Sequence, residues 1–218
     1  MIKVYIDTNI FKFSATELRR LVAKDVKPLQ WGDLTIDSPV YEILVINPND
    51  KIKSNEELKH EASLLQSIAE LAKSNVIHLV IQHETLLESW GIPDMDSQSG
   101  RFYGAPYEIV EAPIEYSRSI FGSNFDSRKV NQYKFLRSIN NNRFLEIQKA
   151  TGAYQGERKS NENQIIDAWN IWCAEHNQCQ FLLTMDFKLI RMIKANKKWE
   201  SSVSLVTPSA LLRAVNNK

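Results

Sequence analysis

The sequence predicts an α/β fold, a parallel sheet flanked by helices, and three observations point there. Short apolar runs at residues 2–6, 76–81, 181–183 and 203–206 are each bounded by polar residues. Segments with apolar residues at helical spacing alternate with those runs. The runs are nearly apolar throughout rather than alternating, as strands covered on both faces are.

The elements follow in order. Ile2-Lys3-Val4-Tyr5-Ile6 reads as a buried strand closed by Asp7-Thr8-Asn9. Ser14-x-x-Glu17 is a capping-box pattern followed by Leu18, Leu21 and Val22, which predicts a helix to about residue 25. Residues 34–36 and 41–46 flank Asp37-Ser38-Pro39 and predict a β-hairpin or strand-like excursion over residues 31–49. Ser54-x-x-Glu57 opens a longer helix, with Leu58, Ala62, Leu65, Ala69 and Ala72 on its buried face. After the run at 76–81, residues 83–90 predict a short helix closed by Gly91, with Pro93 beyond. Residues 126–150 and 162–176 read as helices, then come the strand at 181–183, a helix at about 187–197 and the strand at 203–206. Thr207-Pro208 opens a terminal helix, with proline in its first turn. The chain is therefore expected to be a single α/β domain over residues 1–218, its halves separated by a mostly helical insertion at about 92–160.

Composition narrows the function classes. With 43% hydrophobic and 24% charged residues the 218-residue chain is an ordinary globular protein. It has neither a membrane-length apolar run nor the features of a signal peptide, so a cytoplasmic protein that does not engage membranes is expected. Cys173 and Cys179 lack CxxC spacing and are expected to be buried thiols. His60, His78, His83 and His176 form no HxxxH or HxH pair, which argues against a histidine-based metal site. Asp94-x-Asp96 followed by Gly100 lacks the other ligands of a calcium loop and reads as surface. Charge is uneven: residues 126–198 hold 13 Lys/Arg against 7 Asp/Glu, the remainder 14 against 19. Such asymmetry points toward nucleic acid.

In an open parallel sheet, functional groups gather at the carboxyl ends of the strands. Asp7 directly follows the first strand, Glu88 sits in the helix after the second, and Asp186 follows Leu182-Leu183-Thr184-Met185. Asp167 lies in the helix before the Asp186 strand, with Asn163 and Asn170 on its helical face. Carboxylates brought together repel one another unless a cation neutralises them. Mg²⁺ and Mn²⁺ take oxygen ligands and can activate water in phosphodiester hydrolysis, with no need of histidine. Glu84, one turn before Glu88, and Glu42, in the hairpin segment, are rivals for the Glu88 place.

The strand-Asp-Thr-Asn opening, the Glu in the helix after a second strand, the Asp-Ala start of a late helix and the strand-Thr-x-Asp that follows resemble the PIN-domain ribonucleases. The resemblance covers residues 1–25, 54–90 and 160–206, and leaves 31–50 and 92–160 unsupported. It implies a PIN-like fold in which Asp7, Glu88, Asp167 and Asp186 are catalytic and bind Mg²⁺ or Mn²⁺, supported by Asn9 and Thr184. The implied activity is endoribonuclease on single-stranded or structured RNA; the resemblance extends to toxin nucleases paired with an inhibitory antitoxin-like protein, and it admits a homo-oligomer. A structure-specific DNA nuclease and a non-catalytic PIN-like RNA-binding protein are the alternatives. A receiver domain fits worse, because Asp7-Thr8-Asn9 is not a paired-acid motif.

Two basic regions could meet nucleic acid. Residues 126–159 interleave Arg128, Lys129, Lys134, Arg137, Arg143 and Lys149 with Tyr133, Phe135 and Phe144, and a solvated face with aromatics packed inward is the favoured reading there. Lys188, Arg191 and Lys194 recur every three residues on the helix that begins beside Asp186 and are expected to bind the nucleic-acid backbone.

Overall fold

The computed structural model describes residues 1–15, 17–46, 55–89, 95–96, 101–117, 125–154, 156 and 162–217. Its first half contains β1 (Ile2–Ile6), α1 (Thr8–Ser14), β2 (Glu17–Trp31), β3 (Leu34–Ile46), α2 (Glu56–Ser63), α3 (Leu65–Lys73), β4 (Ile77–Gln82) and α4 (His83–Ser89). The second half contains β5 (Met95–Asp96), β6 (Glu108–Val110), α5 (Phe125–Ser138), α6 (Asn142–Ala150), α7 (Glu162–His176), β7 (Phe181–Leu183), α8 (Phe187–Ala195), β8 (Ser204–Val206) and α9 (Pro208–Asn216).

A five-stranded parallel sheet in the order β6-β4-β1-β7-β8 forms the centre. The expected α/β architecture of a parallel sheet flanked by helices is therefore present. β1 is the middle strand, with Val4 opposite Leu79 on one side and Tyr5 opposite Leu182 on the other. Successive side chains point to opposite faces, so each strand feeds two cores. Val4, Ile6, Leu79, Ile81, Leu183 and Val206 pack with α1, α3 and α9. Tyr5, Val80, Leu182 and Leu205 pack with residues of α5, α6, α7 and α8. This double coverage is why the strands are apolar without alternation. From β1 the chain builds outward to β4 and β6, then crosses back to β7 and β8, so the strand order reverses between β1 and β7. A crevice opens at such a reversal, at the carboxyl ends of the strands.

Three expectations are corrected. Residues 17–25 are strand, not helix: β2 runs from Glu17 to Trp31 and pairs with β3 from Leu18 to Trp31, with an irregularity between Ala23 and Asp25. The hairpin turn falls at Gly32-Asp33, where Gly32 has φ of 61°, and not at Asp37-Ser38-Pro39, which lie inside β3. Glycine supplies the positive φ that a two-residue hairpin turn requires. Pro39 lies opposite Val26 and Pro28 opposite Asp37, each able to sit in a strand because β3 and most of β2 are edges. Residues 92–160 are also more than a helical insertion. α5 and α6 are helices, but β6 joins the central sheet beside β4, and Tyr133, Leu136, Phe144 and Ile147 belong to the main core.

Smaller adjustments follow. The helix opened by the Ser54 pattern is capped by Asn55, whose side chain accepts from Leu58 N at 3.0 Å, and it breaks at Leu64 into α2 and α3. Ser54, Trp90, Gly91, Pro93, Asp94 and Gly100 lie outside the described residues, while Asp96 falls in β5 opposite Glu17. Cys173 and Cys179 are buried free thiols, as expected. Among the described residues no helix is long and apolar enough to cross a membrane.

Candidate active site

Asp7 terminates the central strand, and its backbone N–H still continues the ladder by donating to Leu183 O at 3.1 Å. Its side chain is 7% exposed and is held chiefly through Oδ2, which accepts from Asn9 Nδ2 at 2.6 Å and from Thr184 Oγ1 at 2.7 Å. Thr184 follows β7, the neighbouring strand, and is fully buried. Its oxygen in turn accepts from Asn9 Nδ2 and from the Asp186 backbone N–H, both at 3.0 Å. Asn9 Oδ1 accepts from Met185 N at 3.0 Å. The two motifs at the ends of β1 and β7 are thus stitched together, with Asn9 and Thr184 both bonded to the Asp7 side chain.

Asp186 caps α8, its Oδ1 accepting from Leu189 N at 2.8 Å. The cap role does not remove it from the acid cluster, because its charge reaches both Asp7 and Asp167. Glu88 is the sixth residue of α4, the helix after β4, and its Oε2 accepts from Thr8 Oγ1 at 2.5 Å. Asp167 sits on α7, partly exposed.

The electrostatics tie the four together. Burial pushes the Asp7 carboxyl above its ordinary range, hydrogen bonds from Thr184 and the Thr8 backbone pull it back, and Asp186 adds repulsion. Asp167 is raised well above the ordinary range, first by burial and then by repulsion from Asp7, Asp186 and Glu88. Nothing offsets this: among the described residues no donor reaches its carboxylate and no cation stabilises its charge.

The rivals are placed elsewhere. Glu84 is 2% exposed, and its carboxylate accepts from Tyr116 Oη and Gln132 Nε2, both at 3.1 Å. It belongs to a second network in which Gln82 Oε1 accepts from Trp169 Nε1 at 3.0 Å. A cavity of about 720 Å³ is lined by Gln82, Glu84, Leu86, Val110 and Tyr116, and none of the four clustered acids lines it. Glu42 is in the exposed hairpin, paired with Lys24 at 2.7 Å.

Several participants were given no role in the site from the sequence. Thr8 touches two of the acids, at 3.4 Å to Asp7 Oδ1 besides its bond to Glu88. Asn170, one turn after Asp167, places Nδ2 3.5 Å from Asp7 Oδ1. Its Oδ1 accepts from Thr85 Oγ1 at 2.6 Å, and Thr85 lies 2.7 Å from Tyr5 Oη. A hydroxyl carries one hydrogen, so Tyr5 must donate to Thr85, and the chain fixes the amide nitrogen of Asn170 toward Asp7. Thr8 had a sequence signal, its place inside Asp-Thr-Asn. Thr85 and Tyr5 had none, since their partners are 85 and 80 residues away.

The basic regions divide. Phe144 stacks on Trp172 with centroids 5.0 Å apart, and Arg143 is bound to Glu175 and Glu146, so the α6 part of the 126–159 segment faces inward or is paired. Lys188, Arg191 and Lys194 are exposed on α8, and none of the three forms an ion pair among the described residues.

For a divalent ion, the donor chemistry fits and the spacing is open. Four carboxylates that burden one another suit a hard cation. Among the described residues, however, no three His, Cys, Asp or Glu side chains are disposed to hold an ion together. Mg²⁺ commonly keeps several waters and binds directly to one or two carboxylates. Compared with models of known families, with curated proteins and with solved structures, the chain matches none.

Proposed function

We propose that this protein is a PIN-like metal-dependent nuclease that hydrolyses RNA phosphodiester bonds with Mg²⁺ or Mn²⁺ at Asp7, Glu88, Asp167 and Asp186. The observation that carries the reading is Asp167, a desolvated carboxylate repelled by three others with no cation among the described residues to offset them. Such an arrangement costs stability unless a ligand repays it, and perturbed acids of this kind concentrate at functional sites. A bound divalent ion would supply the missing charge and polarise a water and a phosphoryl oxygen. Asn9 and Thr184 would keep Asp7 in one orientation, as side chains that hold a metal ligand do. Because the acids repel a polyanion, the exposed Lys188, Arg191 and Lys194 beside Asp186 would draw the RNA backbone in.

Labelled RNA and single-stranded DNA are incubated side by side with wild type and Asp7→Asn over a Mn²⁺ titration. Mn²⁺-dependent RNA cleavage by wild type that is lost in Asp7→Asn is the expected result. Preference for DNA would shift the reading to a DNA nuclease, and RNA binding without cleavage to a non-catalytic protein.

A further inference from the structure

We infer that Thr8 is a positioning residue that ties Glu88 to the rest of the acid cluster. The inference rests on the metal-dependent reading above and adds to it a residue that touches neither metal nor substrate.

Glu88 arrives from a different direction than its partners. Asp7 and Asp186 sit at the ends of adjacent strands and are fixed by backbone and hydroxyl donors, whereas Glu88 rides on α4, beyond β4. Its charge and that of Asp167 repel each other. The Thr8 hydroxyl opposes that repulsion with a 2.5 Å bond to Glu88 Oε2. Thr8 is 6% exposed and is the first residue of α1, peptide-bonded to Asp7, so the tether is anchored beside a carboxylate that Asn9 and Thr184 already hold.

The proton count sharpens the role. A threonine hydroxyl has a single hydrogen to give. It stands 2.5 Å from Glu88 Oε2 and 3.4 Å from Asp7 Oδ1, so the shorter contact takes the proton. The longer approach is then not a hydrogen bond. Thr8 therefore fixes the distance between two acids while leaving Asp7 Oδ1 its capacity to accept from a metal-bound water or bind the ion itself.

The test is a double-mutant cycle on metal binding, read without substrate. Mn²⁺ affinity is measured by electron paramagnetic resonance of the free ion for wild type, Thr8→Val, Thr8→Ser, Glu88→Gln and Thr8→Val/Glu88→Gln, with thermal melts confirming folding. Removing a partner that orients a ligand commonly weakens metal affinity 10- to 100-fold. Thr8→Val, nearly the same shape, should weaken Mn²⁺ binding about tenfold, Thr8→Ser should restore most of it, and Thr8→Val should add nothing once Glu88 is Gln. Equal Mn²⁺ affinity for Thr8→Val and wild type, or an undiminished loss in the Glu88→Gln background, overturns the Thr8 role and leaves the metal site standing. Absence of Mn²⁺ binding by wild type overturns both.

Discussion

Thr184 gives its one hydroxyl proton to Asp7 Oδ2 at 2.7 Å, and it does so while its oxygen receives two donors, from Asn9 and from the Asp186 backbone. Every hydrogen-bonding capacity of that buried hydroxyl is used, and its bonds to Asp7 and Asn9 cross from the end of β7 to the end of β1. Leaving such groups buried without partners costs about 1–3 kcal/mol each. Thr184→Val should therefore destabilise the fold by about 2–4 kcal/mol, and Thr184→Ser by about 1 kcal/mol. Urea denaturation distinguishes them; a larger loss in Thr184→Ser than in Thr184→Val would mean that the methyl group, and not the hydroxyl, carries the stability.

Asp7 receives donors on Oδ2 and faces Thr8 with Oδ1. An asparagine can keep the two Oδ2 donors on its oxygen and turn its amide nitrogen to the Thr8 oxygen, losing only the long 3.5 Å contact from Asn170 Nδ2 to Oδ1. Asp7→Ala strands the buried donors of Asn9 and Thr184. The expected order of stability without metal is wild type and Asp7→Asn close together, with Asp7→Ala lower by about 2 kcal/mol. Denaturant melts in chelator read it, and an Asp7→Asn protein as unstable as Asp7→Ala would contradict the assignment of donors.

The pH dependence has a definite sign. Asp167 is raised above its ordinary value in the fold, so the native state holds a proton that the unfolded chain has already released. Its contribution is fully present below the unfolded pKa and is lost as pH rises through the folded one. Asp167→Asn should consequently make the metal-free protein more stable at neutral pH, leave it unchanged near pH 3, and flatten the slope between. Mg²⁺ should stabilise wild type at neutral pH more than it stabilises the variant. Stability curves at several pH values decide; a variant less stable than wild type at neutral pH refutes the repulsion.

The central strands and late helices were legible because their signals are local. Residues 2–6, 76–81, 181–183 and 203–206 fall on β1, β4, β7 and β8 within a residue or so at either end, and Thr207-Pro208 opens α9 as expected. The hairpin was not legible. Ser14-x-x-Glu17 and the leucines after it satisfy a helix pattern, yet Leu21 pairs with Ile43 and Leu18 with Ile46, partners supplied only by the later strand. The same reasoning separates Glu88 from Glu84. One helical turn apart they look equivalent, and what distinguishes them is Tyr116 and Gln132, 32 and 48 residues further on.

Exposed cations on α8 make a prediction about substrate binding. Lys188, Arg191 and Lys194 replaced together by Ala should weaken binding to all RNA sequences alike while Mn²⁺ affinity is unchanged. The salt dependence should flatten, by up to about 0.7 in log–log slope for each cation that touches a phosphate of single-stranded RNA. Fluorescence anisotropy at several salt concentrations measures both, and an unchanged slope would remove α8 from the binding surface.

Convergence of the four acids is most directly read from the carboxyl carbon of Asp167, titrated by NMR in protein labelled at aspartate. Without metal it should titrate well above the ordinary carboxylate range, because burial and the charges of Asp7, Asp186 and Glu88 all oppose its ionisation. Saturating Mg²⁺ should bring that value down, and Asp7→Asn should lower it in the metal-free protein. An Asp167 that titrates in the ordinary range, indifferent to Mg²⁺ and to Asp7→Asn, would contradict a shared site.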